Sequence, residues 1–233
     1  MEWAPIWVSA KTAVVSVIIT FIIGTLVAYL AVRMRSERGK ALLDGILTLP
    51  MVLPPTVVGF FLLLIFGQKR PVGMFLSSIG IRIVFNWWAT VIAAFVISFP
   101  LMYRSARGAF EQVDENLVHA ARTLGLGEWE IFRKVVLPEA APGILSGGVL
   151  AFARGLGEFG ATAMIAGNIS GKTRTLPLAI YSAVAGGNMQ DAYGYVAILI
   201  VLSFLVILLM NYFGSGARRE KRGGRRSEGR DEA

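Results

Sequence analysis

Apolar positions in this chain gather into runs too long for a water-facing helix or strand. Ser9 to Val32, Leu42 to Phe66, Phe85 to Met102, Ile144 to Ala166 and Tyr193 to Phe213 are each long enough to cross a bilayer. A hydrocarbon core about 30 Å thick needs about 20 residues at about 1.5 Å of rise each. Pro50, Pro54 and Pro55 interrupt the second run. A further stretch, Val72 to Val84, is apolar but short of spanning length and reads as an interfacial segment or hairpin edge. The pattern predicts an all-α polytopic membrane helical bundle of five spans, or six if that stretch crosses. Met1 to Ile6 lacks a basic leader and a small-residue cleavage site, so no removable signal peptide is expected.

Composition agrees. Of 233 residues 55% are hydrophobic and 16% charged, with a mean hydropathy of +0.63, outside the range of ordinary soluble domains. The absence of cysteine excludes disulfides, thiolate metal sites and cysteine nucleophiles. A net charge of +8 spread between apolar runs does not make a nucleic-acid-binding face, but it orients the bundle. Arg33, Arg35, Arg38 and Lys40 follow the first run, five basic residues lie between the third and fourth, and seven from Arg218 to Arg230 follow the fifth. Sixteen of the 23 basic residues thus share one side. The positive-inside rule makes that side cytoplasmic, with the N-terminus outside, the C-terminus inside and the protein a multi-pass component of the cell membrane. Residues 1–217 read as one transmembrane domain and 218–233 as a flexible basic tail near anionic lipid. Trp87 and Trp88 fit either an outer aromatic belt or helix packing.

The segment between the third and fourth runs, residues 103–142, is longer than a turn requires and nearly neutral, with six acidic and five basic residues. Within it Glu115 to Leu124 is predicted helical: Asp114 can cap it, Leu117, Ala120, Ala121 and Leu124 repeat at helical spacing, and Gly125 can supply the left-handed stop. Glu128 to Val136 reads as a second amphipathic helix that Pro138 ends before the membrane. A solvated helical connector would satisfy the same pattern.

At these residues the chain resembles the membrane permease subunits of bacterial and archaeal ABC importers. Their motif is Glu-Ala-Ala, three residues, Gly, nine residues, Ile, one residue, Leu-Pro. Here it is met by His119, Ala120, Ala121, Gly125, Val135, Leu137 and Pro138, with His119 in place of Glu and Val135 in place of Ile. The resemblance implies a coupling helix that docks on an ATP-binding subunit, with Ala120 and Ala121 allowing close approach and Gly125 making the turn. It also implies a homodimer of permease subunits, two ATP-binding subunits that use ATP and Mg, and an extracytoplasmic oxyanion-binding protein. Leu47 to Gly59, Phe152 to Thr162 and Gly167 to Tyr181 resemble the molybdate or tungstate permeases, and sulfate permeases share the middle string.

Charges within the apolar runs need a reason, since each costs roughly 2.5 to 3.5 kcal/mol at mid-bilayer on insertion scales. Arg154 and Glu158 lie in the fourth run at i, i+4 spacing, which predicts a pair on one helical face, either pinning the packing or lining an aqueous pathway. Pro50, Pro54 and Pro55 predict a kinked helix, or broken segments that meet around a central pore with Thr48 and Thr56 as polar lining. Gly171-Lys172-Thr173 imitates the end of a phosphate-binding loop, but Ala166 stands where the first glycine is required, and no nucleotide site is expected. Lys172 and Arg174 are candidate docking points for a binding protein. Asn168-Ile169-Ser170 fits a glycosylation sequon of little weight. One histidine, no cysteine and no buried carboxylate pair leave no catalytic constellation, so an enzyme is not expected. An ion-coupled secondary transporter is the alternative of another class, although no inverted repeat or set of intramembrane carboxylates supports it.

Overall fold

The computed structural model describes residues 2–228, with side chains described as far as Leu208. Three helices form the centre: α1 (Ala4–Val32), α5 (Trp87–Glu111) and α8 (Leu137–Leu156) pack along one another. α1 turns inward a stripe of small residues at roughly four-residue intervals, Ser9, Thr12, Ser16, Thr20, Gly24, Ala28 and Ala31, all buried, and packs most extensively on α5. A Cβ on Gly24 would lie 2.8 Å from Met102 Cγ, so the helices are as close as glycine permits. Without a hydrophobic drive between helices in lipid, such close packing and interhelical hydrogen bonds hold the pair. The bonds are Thr12 to Thr90 at 2.8 Å, Thr20 to Ser98 at 3.3 Å, and Trp87 Nε1 donating to Thr12 Oγ1 at 3.0 Å. The opposite stripe of α1, Val14, Ile18, Ile22, Leu26 and Leu30, is exposed, as a lipid-facing surface requires.

Around this centre lie α2 (Glu37–Val52), α3 (Pro55–Phe66), the short α4 (Pro71–Ser78), α9 (Gly160–Ala166), α10 (Leu176–Ala185) and α11 (Met189–Glu228). The core is correspondingly divided. One cluster, around Phe99, Met102, Tyr103, Phe110 and Ile144, sits where α1, α5 and α8 converge. A second, around Val58, Leu62, Ile97, Ala161 and Ile165, joins α3, α5 and α9, and a third ties α10 to α11.

Among the described residues four helices are long and apolar enough to cross a membrane: α1, α5, the helix Glu128–Leu156 and Met189–Leu208 of α11. A fifth span results if α2 and α3 count as one. That pair departs from a kinked helix: its halves are bent by 113°. The cause is the tandem Pro54-Pro55, which removes two N–H donors and drives the preceding residue into extended geometry. Leu53 has ψ 143° and Pro54 ψ 136°. Pro50, by contrast, sits inside α2 without breaking it. The apolar stretch after residue 71 forms only the eight-residue α4, in keeping with an interfacial segment.

Further expectations change. α5 extends to Glu111, so residues 103–111 belong to a span rather than to the loop. Pro138 does not end the second loop helix. α7 (Glu128–Ile131) passes through a π turn (Phe132–Val136) directly into α8, and the Leu137 N–H bonds to Phe132 C=O. The widened turn takes up the clash a proline ring makes with the carbonyl four residues earlier. The fourth run is likewise not one helix, since it breaks at Gly157 and restarts at Gly160 as α9. α11 runs to Glu228, into the segment 218–233 read as a tail, and the remainder of that segment lies outside the described residues.

Candidate functional site

One end of the bundle is closed by a hairpin of α6 (Glu115–Thr123) and α7. Asp114 caps α6 by accepting the Asn116 N–H at 2.8 Å. Gly125 stops it at φ +79°, while the Leu126 N–H reaches back to Ala121 C=O at 3.2 Å, a Schellman arrangement. A Cβ on Gly125 would meet nothing within 4 Å, so glycine is needed here for its backbone conformation and not for space. The hairpin is fastened by Glu128, whose two oxygens accept Arg122 Nε at 2.8 Å and Arg33 Nη2 at 3.1 Å, tying α6 and the end of α1 to α7. The same bond with Glu128 pushes the Arg122 guanidinium above its usual pKa. The Tyr29 ring adds a contact to Phe132, with centroids 4.4 Å apart, and a cation–π contact to Arg33.

The two alanines of the motif do different jobs. Ala121 is buried against the bundle, whereas Ala120 and His119 face outward. On the same helix Leu117 is 47% exposed and Leu124, at its C-terminal end, 81%, while on α7 Trp129 is 70% exposed. An apolar surface among charged residues, at the end of the bundle where those charges cluster, is the mark of a protein contact. Leu137 is half-buried and Pro138 exposed at the foot of this hairpin.

The second region is where the two broken helices meet. α3 lies on α9 so closely that a Cβ on Gly59 would come within 2.7 Å of Ala161 Cα, and one on Gly160 within 3.1 Å of Pro55 and Thr56. Glu158 stands in the gap between α8 and α9, 2% exposed. One oxygen accepts Arg154 Nη1 at 2.8 Å, and the other accepts the Ala161 N–H at 2.8 Å, capping α9. The expected pair therefore forms, but not on one helical face: α8 ends at Leu156, and Glu158 has left it. The Arg154 side chain is 34% exposed, so this cation keeps access to the surface that its partner lacks. Thr56 and Pro54 are exposed beside the break and Pro50 and Pro55 half-buried. Thr48 donates to the Asp44 C=O of its own helix at 2.6 Å, which satisfies its hydroxyl locally.

At the opposite end, residues 167–175 form a tight loop in which the Ile169 C=O accepts from the N–H groups of Lys172, Thr173 and Arg174. Thr173 is fully buried and its hydroxyl accepts the Ile169 N–H, so the imitation phosphate loop is an ordinary turn that uses its own threonine. Lys172 is exposed, and Arg174 Nε donates to Asn168 Oδ1 at 2.8 Å. Trp87 and Trp88 divide the two readings offered for them: Trp87 packs on Thr12 and under Lys11 Nζ, 4.0 Å from its ring, while Trp88 is half exposed.

Sequence reasoning passed over Asp44, Tyr103 and Arg107. Tyr103 donates to Asp44 Oδ1 and Arg107 Nη1 to Asp44 Oδ2, joining α2 to α5. The signal was present: Asp44 is the single acidic residue in the second apolar run.

A multi-pass helical bundle with broken helices packed around its centre and a helical hairpin at one end is the architecture of a transporter's membrane component. The chain belongs to the family described as "Binding-protein-dependent transport system inner membrane component", which it matches over residues 8–219. It is 42% identical over 223 residues to the molybdenum transport system permease protein ModB of Escherichia coli K12, covering 95% of this chain and 97% of that one. To ModB of Haemophilus influenzae it is 37% identical over 224 residues, covering 96% and 97%. Its fold resembles a chain of the inward-facing MetNI methionine ABC transporter, with a TM-score of 0.70 at 20% identity over 91% of this chain and 94% of that one. A chain of a bacterial alginate ABC transporter, solved with a pentasaccharide-bound periplasmic protein, gives 0.68 at 17% identity over 90% and 76%.

Proposed function

We propose that two copies of this chain form the pore of an ATP-driven importer for molybdate and tungstate, delivered by an external binding protein and powered by two ATP-binding subunits that hold ATP and Mg. The N-terminus is then outside and the α6–α7 end cytoplasmic. The observation that carries the reading is the outward apolar face of α6 and its surroundings, Leu117, Ala120, Leu124 and Trp129, since a merely solvated connector has no use for it. Similarity to molybdenum permeases along nearly the whole chain supports the substrate class.

In this reading the ATP-binding pair draws its two α6 helices together when ATP binds. Glu128 and the Tyr29–Phe132 contact transfer that movement to α1, and the unbroken helix Glu128–Leu156 transfers it to the α8–α9 break. Arg154 offers an oxyanion a favourable charge beside that break, while Glu158 keeps the region near neutrality. Lys172 and Arg174 offer positive charge to an acidic lobe of the binding protein. His119 puts an imidazole on the docking face where the motif has a carboxylate.

Co-expression with the ATP-binding subunit tests the reading. The wild-type chain is expected to co-purify with it, and Ala120→Trp or Leu124→Asp to lose that association while still inserting in the membrane. Retention of the partner by both variants would refute the docking role. Competition of sulfate, molybdate and tungstate for uptake by the assembled transporter tests the substrate, and a preference for sulfate would replace it.

A further inference from the structure

The proposed path from docking face to pore leaves one group unused: the carboxylate of Asp44, an acid within an apolar run of α2. Both its oxygens are taken by α5, one by the Tyr103 hydroxyl and one by the Arg107 guanidinium. Arg107 Nε in turn binds Glu111 at 2.8 Å on the last turn of α5, and Tyr103 is 1% exposed with its ring stacked on Phe99. The cluster therefore rests on rigid packing from the α5 side.

From the α2 side it is the principal hold. No residue of α2 is fully buried, and its apolar contribution to the core consists of the half-buried Leu43 and Leu47. Apolar side chains permit two helices to slide, whereas a carboxylate held by a guanidinium and a phenol fixes both register and direction. The position of this hold is informative. Arg107 lies one turn before the end of α5, which leads through three residues into α6. Asp44 lies eight residues before the end of α2, about 12 Å of helix, beyond which the Pro54-Pro55 break abuts Gly160.

We infer that Asp44, gripped by Arg107 and Tyr103, is a positioning residue that makes α2 move with α5, carrying displacement of the coupling hairpin to the proline break of the pore. The inference rests on the ATP-driven importer reading. Without the grip, α5 and α6 respond to the ATP-binding subunits while α2 and the break lag behind, so hydrolysis continues and transport does not follow.

The test uses the complete transporter in proteoliposomes with its binding protein, measuring oxyanion uptake and ATP hydrolysis in the same sample. Asp44→Asn is expected to lower oxyanion taken up per ATP about tenfold with the complex intact, and the swap Asp44→Arg with Arg107→Asp to recover much of that ratio. A purely structural role would lower uptake and hydrolysis together with the yield of complex, leaving the ratio unchanged, and that result would overturn the inference. Tyr103→Phe keeps the ring packing and removes only its donated bond. If Asp44→Asn fails to assemble, a reduced ratio in Tyr103→Phe supports the inference and an unchanged one overturns it. Absence of ATP-dependent uptake by the wild-type complex would instead bring down the importer reading itself.

Discussion

Glu158 gives the sharpest quantitative prediction. Its carboxylate is 2% exposed and makes two bonds that serve different ends, one neutralising Arg154 and one capping α9. Glu158→Gln retains an oxygen for the Ala161 N–H but removes the charge, leaving Arg154 without its counterion. Loss of a hydrogen bond to a charged group costs about 1.5 to 3 kcal/mol. Because Arg154 is 34% exposed, solvent relieves part of this, and the lower end, about 1.5 kcal/mol, is expected. Glu158→Ala loses the cap as well, typically another ~1 kcal/mol, and leaves a void. At about 2 to 4 °C per kcal/mol for a chain of this size, Glu158→Gln should lower Tm by about 3 to 6 °C and Glu158→Ala by about 5 to 10 °C before any cost of the void. Thermal unfolding of the purified complex in detergent measures both. Adding Arg154→Met to Glu158→Gln removes the stranded cation and should restore part of the loss. Equal, negligible shifts for Gln and Ala would show that Glu158 neither pairs nor caps as described.

Other substitutions separate space from conformation. Gly59→Leu must push into the Ala161 backbone and is expected to cost about 1 to 3 kcal/mol or more, seen as reduced yield of folded protein, whereas substitution of Gly45, where a Cβ meets nothing within 4 Å, should leave yield unchanged. Gly125→Val has room for its side chain but must hold φ +79°, so it should weaken co-purification with the ATP-binding subunit while shifting Tm by only a few degrees. Thr12→Val strands the Trp87 indole N–H, and a Tm lower by about 2 to 6 °C should accompany it. Glu128→Gln loosens only half-exposed ion pairs and should change Tm by less than about 3 °C, with a visible effect on transport rather than on stability.

The long apolar runs of α1, α5 and α11 made those spans legible in the sequence, since a 20-residue hydrophobic helix has few alternatives in lipid. The α6 helix was legible for a local reason: cap, periodicity and stop lie within twelve residues, and each bond involved is local. What sequence misjudged was breaks and continuations. Pro138 reads as a stop, yet a π turn carries the helix through it. Gly157 to Phe159 reads as helix, yet Glu158 trades helical position for a capping bond to α9. Both outcomes are decided by tertiary neighbours. The Asp44 grip joins residues 59 and 63 apart in sequence, so no window along the chain could reveal it. The split of Ala120 and Ala121 between outward and inward faces depended likewise on the packing of α6 against the bundle.

Uptake of labelled molybdate into proteoliposomes bearing this chain with its ATP-binding subunit, with ATP supplied to the nucleotide-binding side and binding protein to the other, tests the central claim most directly. The account predicts uptake that requires ATP, the binding protein and an intact α6 face, and that Leu124→Asp abolishes without removing the chain from the membrane. Uptake by the chain alone, driven by a proton or sodium gradient and indifferent to Leu124→Asp, would contradict it.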